Sequence, residues 1–154
     1  MSNKFLNNDL DIASILTATY NEAGGAVTPP IVQTSLFTFD DYDDFEGRMT
    51  GLTDKDIYTR IQNPTVRAFE QMMAKIESGE EAVGFASGMA AISSTIMAFV
   101  KPGDRIVCVE HVYPDSYKFF ERILKKFGIE ISYHSVFEFE NNADFFKGVK
   151  LAYL

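Results

Sequence analysis

Residues 81–110, EAVGFASGMAAISSTIMAFVKPGDRIVCVE, contain the pattern that decides the fold. The first part, EAVGFAS, is a short apolar run typical of a strand, and GMAAISSTIMAFV predicts an apolar helix closed by Pro102 and Gly103. RIVCVE then predicts a second strand. Because AVGFA and RIVCV are almost wholly apolar, we expect both strands to be covered on both faces. A strand, a helix and a strand at this spacing indicate a βαβ unit with parallel strands.

The alternation of helices and strands continues toward the C-terminus. Residues 116–127 predict an amphipathic helix stopped by Gly128, IEISYH a third strand, NADFFKG a short helix and VKLAYL a fourth strand. The fold class is therefore α/β with a mostly parallel sheet. Ligands bind beyond the carboxyl ends of such strands, so the turns after Phe85, Glu110 and Leu154 are the places to look for chemistry.

The N-terminal part of the chain divides at about residue 60. Asn63 followed by Pro64 predicts a helix start, apolar residues recur at helical spacing from Val66 to Ile76, and Gly79 ends the run. Residues 1–60 show little periodicity, and their acidic run at 40–46 is typical of a solvated surface. A long irregular arm needs partners for its backbone groups, so we expect it to lie on another part of the protein or on a second subunit.

Composition narrows the class of partner. The 154 residues are 46% hydrophobic and 23% charged, with a net charge of −8. An acidic chain without a basic stripe is a poor partner for nucleic acid or an anionic membrane, so small molecules and further copies of the chain are expected. The uncharged stretch at 82–100 approaches the length of a membrane span, but its glycine and hydroxyl residues favour a strand followed by a helix. The first residues of the chain contain no apolar stretch of the kind found in a signal peptide, so we expect no secretory signal.

The cysteine and the histidines give no independent sign of catalysis or metal binding. The single cysteine, Cys108, excludes an intramolecular disulfide framework and fits a reducing, cytoplasmic compartment. It lies in the middle of a strand, so a core position is favoured over a nucleophile paired with His111. His111 and His134 do not have the spacing of metal ligands, and no metal site is expected.

One candidate binding site is the turn Ser87-Gly88-Met89, which leads from the predicted strand into a helix. A glycine there allows close approach of an anion, and the amides of a helix N-terminus favour phosphate. Such turns are common, however, and the alternative is a glycine that serves only a positive φ angle. The turn is neither a Walker loop nor a dinucleotide fingerprint, which disfavours a generic nucleotide-binding domain.

Two further candidates are polar or aromatic. Tyr58 and Arg60 lie two apart, so in extended chain both side chains project to one side, where a hydroxyl and a guanidinium suit a phosphate. A surface tyrosine and a surface ion pair would be the alternative for an isolated motif. Tyr113 follows the second strand and suits stacking on a flat heteroaromatic ligand; the alternative is a rim residue packed on the next helix.

These segments together resemble a known family. YTRIQNPT, IESGEEAVGFASGMAAI, VKPGDRIVCVEHVY and FGIEISY, in this order, are similar to the Cys/Met-metabolism enzymes that use pyridoxal 5'-phosphate (PLP). That family includes cystathionine γ-synthase, cystathionine lyases, O-acetylhomoserine sulfhydrylase and methionine γ-lyase. The resemblance runs from about Gly25 to the last residue. It implies the fold-type I PLP-dependent transferase architecture, in incomplete form: residues 1–60 as an arm reaching a neighbouring subunit, and residues 61–154 as the first part of the large PLP-binding domain.

The resemblance also implies roles for individual residues. Gly88 and Met89 would give backbone amides to the cofactor phosphate, and Tyr113 would stack on the pyridine ring and assist proton transfer as a catalytic residue. Tyr58 and Arg60 would bind phosphate in the neighbouring subunit, in dimers paired into homotetramers. The implied function is trans-sulfuration: β- or γ-elimination, or γ-replacement, on a small amino acid such as cystathionine or an O-acyl-homoserine, with a cystathionine γ-synthase or lyase as the first choice.

The chain departs from the family pattern at two places. None of its nine lysines lies in a motif matching the lysine that holds the cofactor, which the family places after the strand begun by VKLAYL. The chain is therefore expected to be a truncated form, inactive and aggregating or molten if expressed alone; the alternative is a non-catalytic fragment or pseudoenzyme that only associates with full-length subunits. Pro114-Asp115-Ser116 stands where relatives have Gly-Gly-Thr or Gly-Cys-Thr, and Asp115 speaks against methionine γ-lyase.

Overall fold

The computed structural model describes residues 28–154, so the expectations for residues 1–27 of the arm lie outside the described part. The chain forms two compact units, Met1–Gly84 and Phe85–Leu154, and each is described by itself. In the described part of the first unit the helices are α1 (Tyr42–Met49) and α2 (Pro64–Ile76). In the second unit the elements are α3 (Gly88–Phe99), β1 (Arg105–Val109), α4 (Pro114–Arg122), a 3₁₀ turn (Leu124–Phe127), β2 (Glu130–His134), α5 (Val136–Asn141), a 3₁₀ turn (Ala143–Phe146) and β3 (Leu151–Tyr153).

A parallel three-stranded sheet organises the second unit. The strand order is β2-β1-β3, with Val107 opposite Ser132 on one side and Ala152 on the other. Three successive residues of β1, Ile106 to Cys108, are fully buried although their side chains alternate between the two faces. The α/β class, the parallel pairing and the burial of RIVCV on both faces are therefore confirmed.

The predicted strand at EAVGFAS is wrong. Within the described residues, 81–87 pairs with no strand of the sheet. The N–H of Gly84 donates instead to the Glu70 carboxylate at 2.7 Å, which uses a group that a strand ladder would need. Val83 is 71% exposed, so burial of AVGFA on both faces is also wrong. An apolar run becomes a strand only where a neighbouring strand accepts its hydrogen bonds.

Helices cover the sheet and supply its core. Ile96 of α3 and Phe120 of α4 join the cluster formed by Ile106 and Cys108, together with Leu124 and Ile129. The helix predicted over 116–127 begins earlier, at Pro114, and changes to a 3₁₀ turn before Gly128 adopts a φ of 73°. At the amino ends of the strands, Gly103 N–H donates to the carbonyl of Gly128 at 2.8 Å, which joins the loops before β1 and β2.

Two helices were not predicted. α5 precedes the predicted short helix, and its signal was the capping box in which Ser135 and Glu138 bond reciprocally. α1 lies in the segment that was expected to be irregular. The acidic run in this segment starts the helix, since the Asp41 side chain accepts the Asp44 N–H at 2.8 Å. The run is also not simply solvated, since the Asp44 side chain is 15% exposed and pairs with Lys55 at 2.6 Å.

The start of α2 agrees with its prediction. The Asn63 side chain caps Thr65, and Pro64 occupies the first helical position. The helix ends at Ile76, three residues before Gly79. Among the helices of residues 28–154, none is long and apolar enough to cross a membrane.

Candidate functional site

The start of α3 presents free amide donors. Ser87 is extended and its hydroxyl accepts the Ala90 N–H at 3.1 Å, which satisfies one of the donors that every helix leaves at its N-terminus. Within residues 28–154, the N–H groups of Gly88 and Met89 have no acceptor. Two donors and the positive end of a twelve-residue helix are therefore available to an anion.

The space beside Gly88 is open. A Cβ placed on it would have no neighbour within 4 Å. Its φ is not among the positive values of the chain, so the alternative that this glycine serves a left-handed conformation is wrong. Neither packing nor backbone geometry requires a glycine at this position.

Tyr113 lies just after the carboxyl end of β1 and begins α4. Its side chain is 55% exposed, and no aromatic ring among the described residues stacks on it. The Asp115 carboxylate beside it pairs with Lys118 at 2.8 Å. This ion pair, with a further hydrogen bond from the Tyr113 hydroxyl, holds the pKa of Asp115 below its ordinary value. Tyr113 thus has an uncovered ring face and lies beside a carboxylate.

The beginnings of α3 and α4 belong to the same edge of the sheet. Residues 100–104 connect α3 to β1, and Ile92 and Ile96 of α3 pack on the core that β1 forms. Such a short connection makes the helix run back along the strand, so that Gly88 lies toward the carboxyl end of β1. Tyr113 follows that same end, where ligands of parallel sheets bind.

Tyr58 and Arg60 form a second group, in the first unit. The predicted extended geometry is wrong, because the Tyr58 carbonyl accepts the N–H groups of Ile61 and Gln62 in a turn. The turn places the Arg60 guanidinium 5.2 Å from the centre of the Tyr58 ring. Within residues 28–154, no carboxylate forms an ion pair with Arg60. Arg60 is exposed and borders a cavity of about 340 Å³ lined by residues of this unit.

Comparison with known proteins decides the family. The sequence profile described as "Cys/Met metabolism PLP-dependent enzyme" matches residues 13–153. The chain belongs to this family. The family's cofactor is PLP. The resemblance of the segments around Tyr58, Gly88 and Tyr113 to this family is therefore confirmed.

Individual relatives of this PLP-dependent family agree. L-methionine gamma-lyase of Porphyromonas gingivalis is 39% identical over 110 residues, which are 71% of this chain and 28% of that protein. O-succinylhomoserine sulfhydrylase of Pseudomonas aeruginosa is 34% identical over 134 residues, 83% of this chain and 33% of that protein. The chain thus spans about a third of these relatives or less.

A solved structure confirms the fold. A putative O-acetylhomoserine (thiol)-lyase of Campylobacter jejuni, which contains a pyridoxyl-lysine phosphate, superposes with a TM-score of 0.82 at 23% identity. It covers 95% of this chain, which in turn covers 37% of that protein. The architecture is therefore that of the fold-type I PLP-dependent enzymes. The free amides at Gly88 and Met89 and the uncovered ring of Tyr113 fit a cofactor with a phosphate and a flat ring.

Cys108 is a core residue, as expected. It is fully buried, and burial raises the pKa of its thiol to about 11, so the thiolate needed for nucleophilic attack is scarce. His134 is held by Ser132 at 3.1 Å and by Glu138 at 3.6 Å. In the described part of the chain, no group of three or more His, Cys, Asp or Glu side chains is arranged to hold a metal.

Sequence reasoning missed one polar contact near the site. The hydroxyls of Ser116, in the first turn of α4, and Tyr153, in β3, lie 2.9 Å apart, and Ser116 is fully buried. No local pattern in the sequence predicts a contact between these two residues, which lie 37 positions apart.

Proposed function

We propose that this chain forms part of a PLP-dependent lyase or transferase of sulfur amino acids, acting by β- or γ-elimination or by γ-replacement. The observation that carries the proposal is the start of α3, where Gly88 leaves two free N–H groups open to an anion. Its place at the carboxyl edge of the sheet, the same edge as Tyr113, makes this a site for a ligand with both a phosphate and a ring.

Within this site each residue has a role set by its geometry. The N–H groups of Gly88 and Met89 bind the phosphate, and the α3 dipole adds to their attraction. The exposed ring of Tyr113 stacks on the cofactor ring and fixes its orientation. Bound PLP supplies an electron sink that acidifies the Cα–H bond of an amino acid. The Tyr113 hydroxyl is the group of this chain that can hold or deliver a proton at the substrate, and Asp115 accepts from it in the absence of substrate.

Tyr58 and Arg60 are proposed to bind the phosphate of a neighbouring subunit. Arg60 has no carboxylate partner in the described part of the chain, and a guanidinium is a strong phosphate ligand. This role requires a homo-oligomer, for which we propose the dimer of dimers implied by the family resemblance. Residues 1–60 are then the arm that reaches the partner.

The lysine that holds the cofactor is proposed to lie outside these 154 residues. The described lysines that have a carboxylate partner lie on helix surfaces or loops, as Lys118 and Lys125 do. The chain would then supply part of the cofactor site and need the remainder for turnover. The alternative is a fragment without catalysis that associates with complete subunits.

The choice of substrate rests on the relatives and on one local difference. Relatives named for methionine and for O-succinylhomoserine match this chain comparably, at 39% and 34% identity. Asp115 places a carboxylate beside Tyr113, which we take to favour a cystathionine γ-synthase or lyase over a methionine γ-lyase. A cytoplasmic location is proposed because the one cysteine is a buried free thiol.

The deciding experiment traps the cofactor on its lysine. The native protein is incubated with PLP, reduced with borohydride, and measured by intact mass and peptide mapping. We expect one reduced cofactor on a protein well above 17.3 kDa, attached to a lysine beyond this sequence. A mass equal to these 154 residues without an adduct would overturn the catalytic proposal and favour the associating fragment. An adduct on one of the nine lysines present would overturn only the proposed position of the lysine.

A further inference from the structure

The buried hydroxyl pair of Ser116 and Tyr153 suggests how Tyr113 is positioned. Ser116 is fully buried, and among the described residues only Asn63 shares with it the combination of a polar side chain and a buried position. A buried hydroxyl costs stability unless it is hydrogen-bonded, and an alanine would fill the same space without that requirement. Its single side-chain partner in the described residues, the Tyr153 hydroxyl at 2.9 Å, therefore gives it a purpose.

The pair fastens the first turn of α4 to β3. Tyr153 lies opposite Cys108 in the register of β1 and β3, so it is fixed by the sheet. Its ring meets Phe120, one turn further along α4, edge to face with centroids 5.2 Å apart. The helix is thus held to the neighbouring strand at two successive turns, once by a directional hydrogen bond and once by an aromatic contact.

Tyr113 depends on this attachment because its other restraints adjoin it in the chain: Val112, which packs on the core, and the Asp115 carboxylate in the same first turn of α4. It directly precedes α4, caps the helix without a side-chain hydrogen bond to the backbone, and is linked to the helix by its carbonyl, which accepts the Tyr117 N–H at 3.1 Å. Its ring is more than half exposed and has no stacking partner among the described residues. The position of the ring is therefore set by the backbone at the start of α4, which the Ser116 hydrogen bond holds.

We infer that Ser116 and Tyr153 are positioning residues that hold Tyr113 in the position needed to stack on the cofactor. The inference rests on the proposed function, because it assigns Tyr113 a cofactor ring to meet. A hydrogen bond is directional and an apolar contact is not, so the pair selects one placement of the helix among several that would bury similar area. Ser116 and Tyr153 act through Tyr113 and do not touch the cofactor themselves.

The test is the equilibrium dissociation constant for PLP of the native protein, in two backgrounds. We expect Ser116→Ala and Tyr153→Phe each to weaken PLP binding about threefold, with no further loss in the double variant, and Ser116→Thr to restore binding by keeping the hydroxyl. Tyr113→Ala alone should weaken binding about tenfold. In the Tyr113→Ala background, Ser116→Ala should have no additional effect.

Each outcome decides a different statement. Equal effects of Ser116→Ala with and without Tyr113 would overturn the positioning role, since the serine would then act on stability or on the site directly. Unchanged PLP affinity in a Ser116→Ala variant that is less stable to urea would assign it a purely structural role and would also overturn the inference. Failure of the unsubstituted protein to bind PLP would overturn the proposed function and the inference with it.

Discussion

Asn63 links the arm to the first long helix, and its replacement should loosen both. It is 4% exposed and makes three side-chain hydrogen bonds. Its carbonyl oxygen accepts the Thr65 N–H at 2.9 Å, and its amide nitrogen donates to the Val32 carbonyl at 3.1 Å and to the Thr59 hydroxyl at 3.0 Å. Thr65 adds a return contact, since its hydroxyl accepts the Val32 N–H at 2.9 Å.

The cost of Asn63→Ala follows from these contacts. Loss of a helix cap costs about 1 kcal/mol, and each of the two donated bonds contributes about 1 kcal/mol, so we expect a loss of about 3 kcal/mol. Asn63→Asp keeps the acceptor for Thr65 but loses the donors, and it should lose about 2 kcal/mol. Gln71→Ala, on the exposed side of α2, is the matched control and should change stability by less than about 0.5 kcal/mol.

The assay is urea denaturation of the native protein combined with amide hydrogen exchange at Val32 and Thr65. Exchange at these two amides should accelerate in Asn63→Ala, and more than in Asn63→Asp for Thr65, whose cap survives in the aspartate. An Asn63→Ala variant as stable as Gln71→Ala, with unchanged exchange at Val32, would refute the reasoning that this one side chain joins the arm to α2.

Three further results are expected. Gly128→Ala should destabilise the protein by about 1 kcal/mol in thermal unfolding, because Gly128 has a φ of 73°, and Gly128→Asn should lose less; equal losses would contradict the conformational argument. Cys108 should react with Ellman's reagent only on unfolding, because its thiol is buried with a pKa of about 11; rapid labelling of the native protein would contradict this. Lys55→Met should return the depressed pKa of Asp44 toward 3.8 in an NMR titration. The ion pair of Asp44 and Lys55 stabilises the fold above pH 3.8, and this stabilisation is lost as the pH falls through the lowered pKa of folded Asp44. At alkaline pH the stabilisation is lost only above 10.5, because the pKa of Lys55 is raised in the folded state. An Asp44 pKa unchanged by Lys55→Met would contradict the assignment.

Local signals in the sequence were sufficient where a structure depends on neighbouring residues. Asn63-Pro64 predicted the start of α2 because a cap acts within three residues, and RIVCVE predicted a buried strand because five consecutive residues carry the pattern. The start of α3 and the exposed Tyr113 were found in the same way, from the turns at strand ends. The fold class and much of the candidate site were therefore predictable.

The incorrect predictions concern structure that depends on contacts distant in the sequence, or charged residues that suit both a solvated surface and a helix start. EAVGFAS has the composition of a strand, but its hydrogen bonds depend on a partner, and Glu70 takes the Gly84 donor instead. The composition of the acidic run predicts a solvated surface, but Asp41 caps a helix there. Tyr58 and Arg60 were expected in extended chain, yet a turn brings their side chains together. The pairing of Ser116 with Tyr153 is set by the strand register, which single residues do not reveal.

The hydrogen bond between Gly103 and Gly128 makes the amino ends of the strands in the second unit sensitive to substitution. Both glycines have positive φ angles, of 89° and 73°, and their backbones meet directly, so a side chain at Gly128 would be strained and would approach Pro102. At the opposite edge, beside Tyr113, Pro114 is exposed and Asp115 is half-buried, whereas Ser116 is fully buried. Substitutions at positions 114 and 115 therefore leave in place the backbone contact that joins the loops before β1 and β2, and the sheet keeps its register.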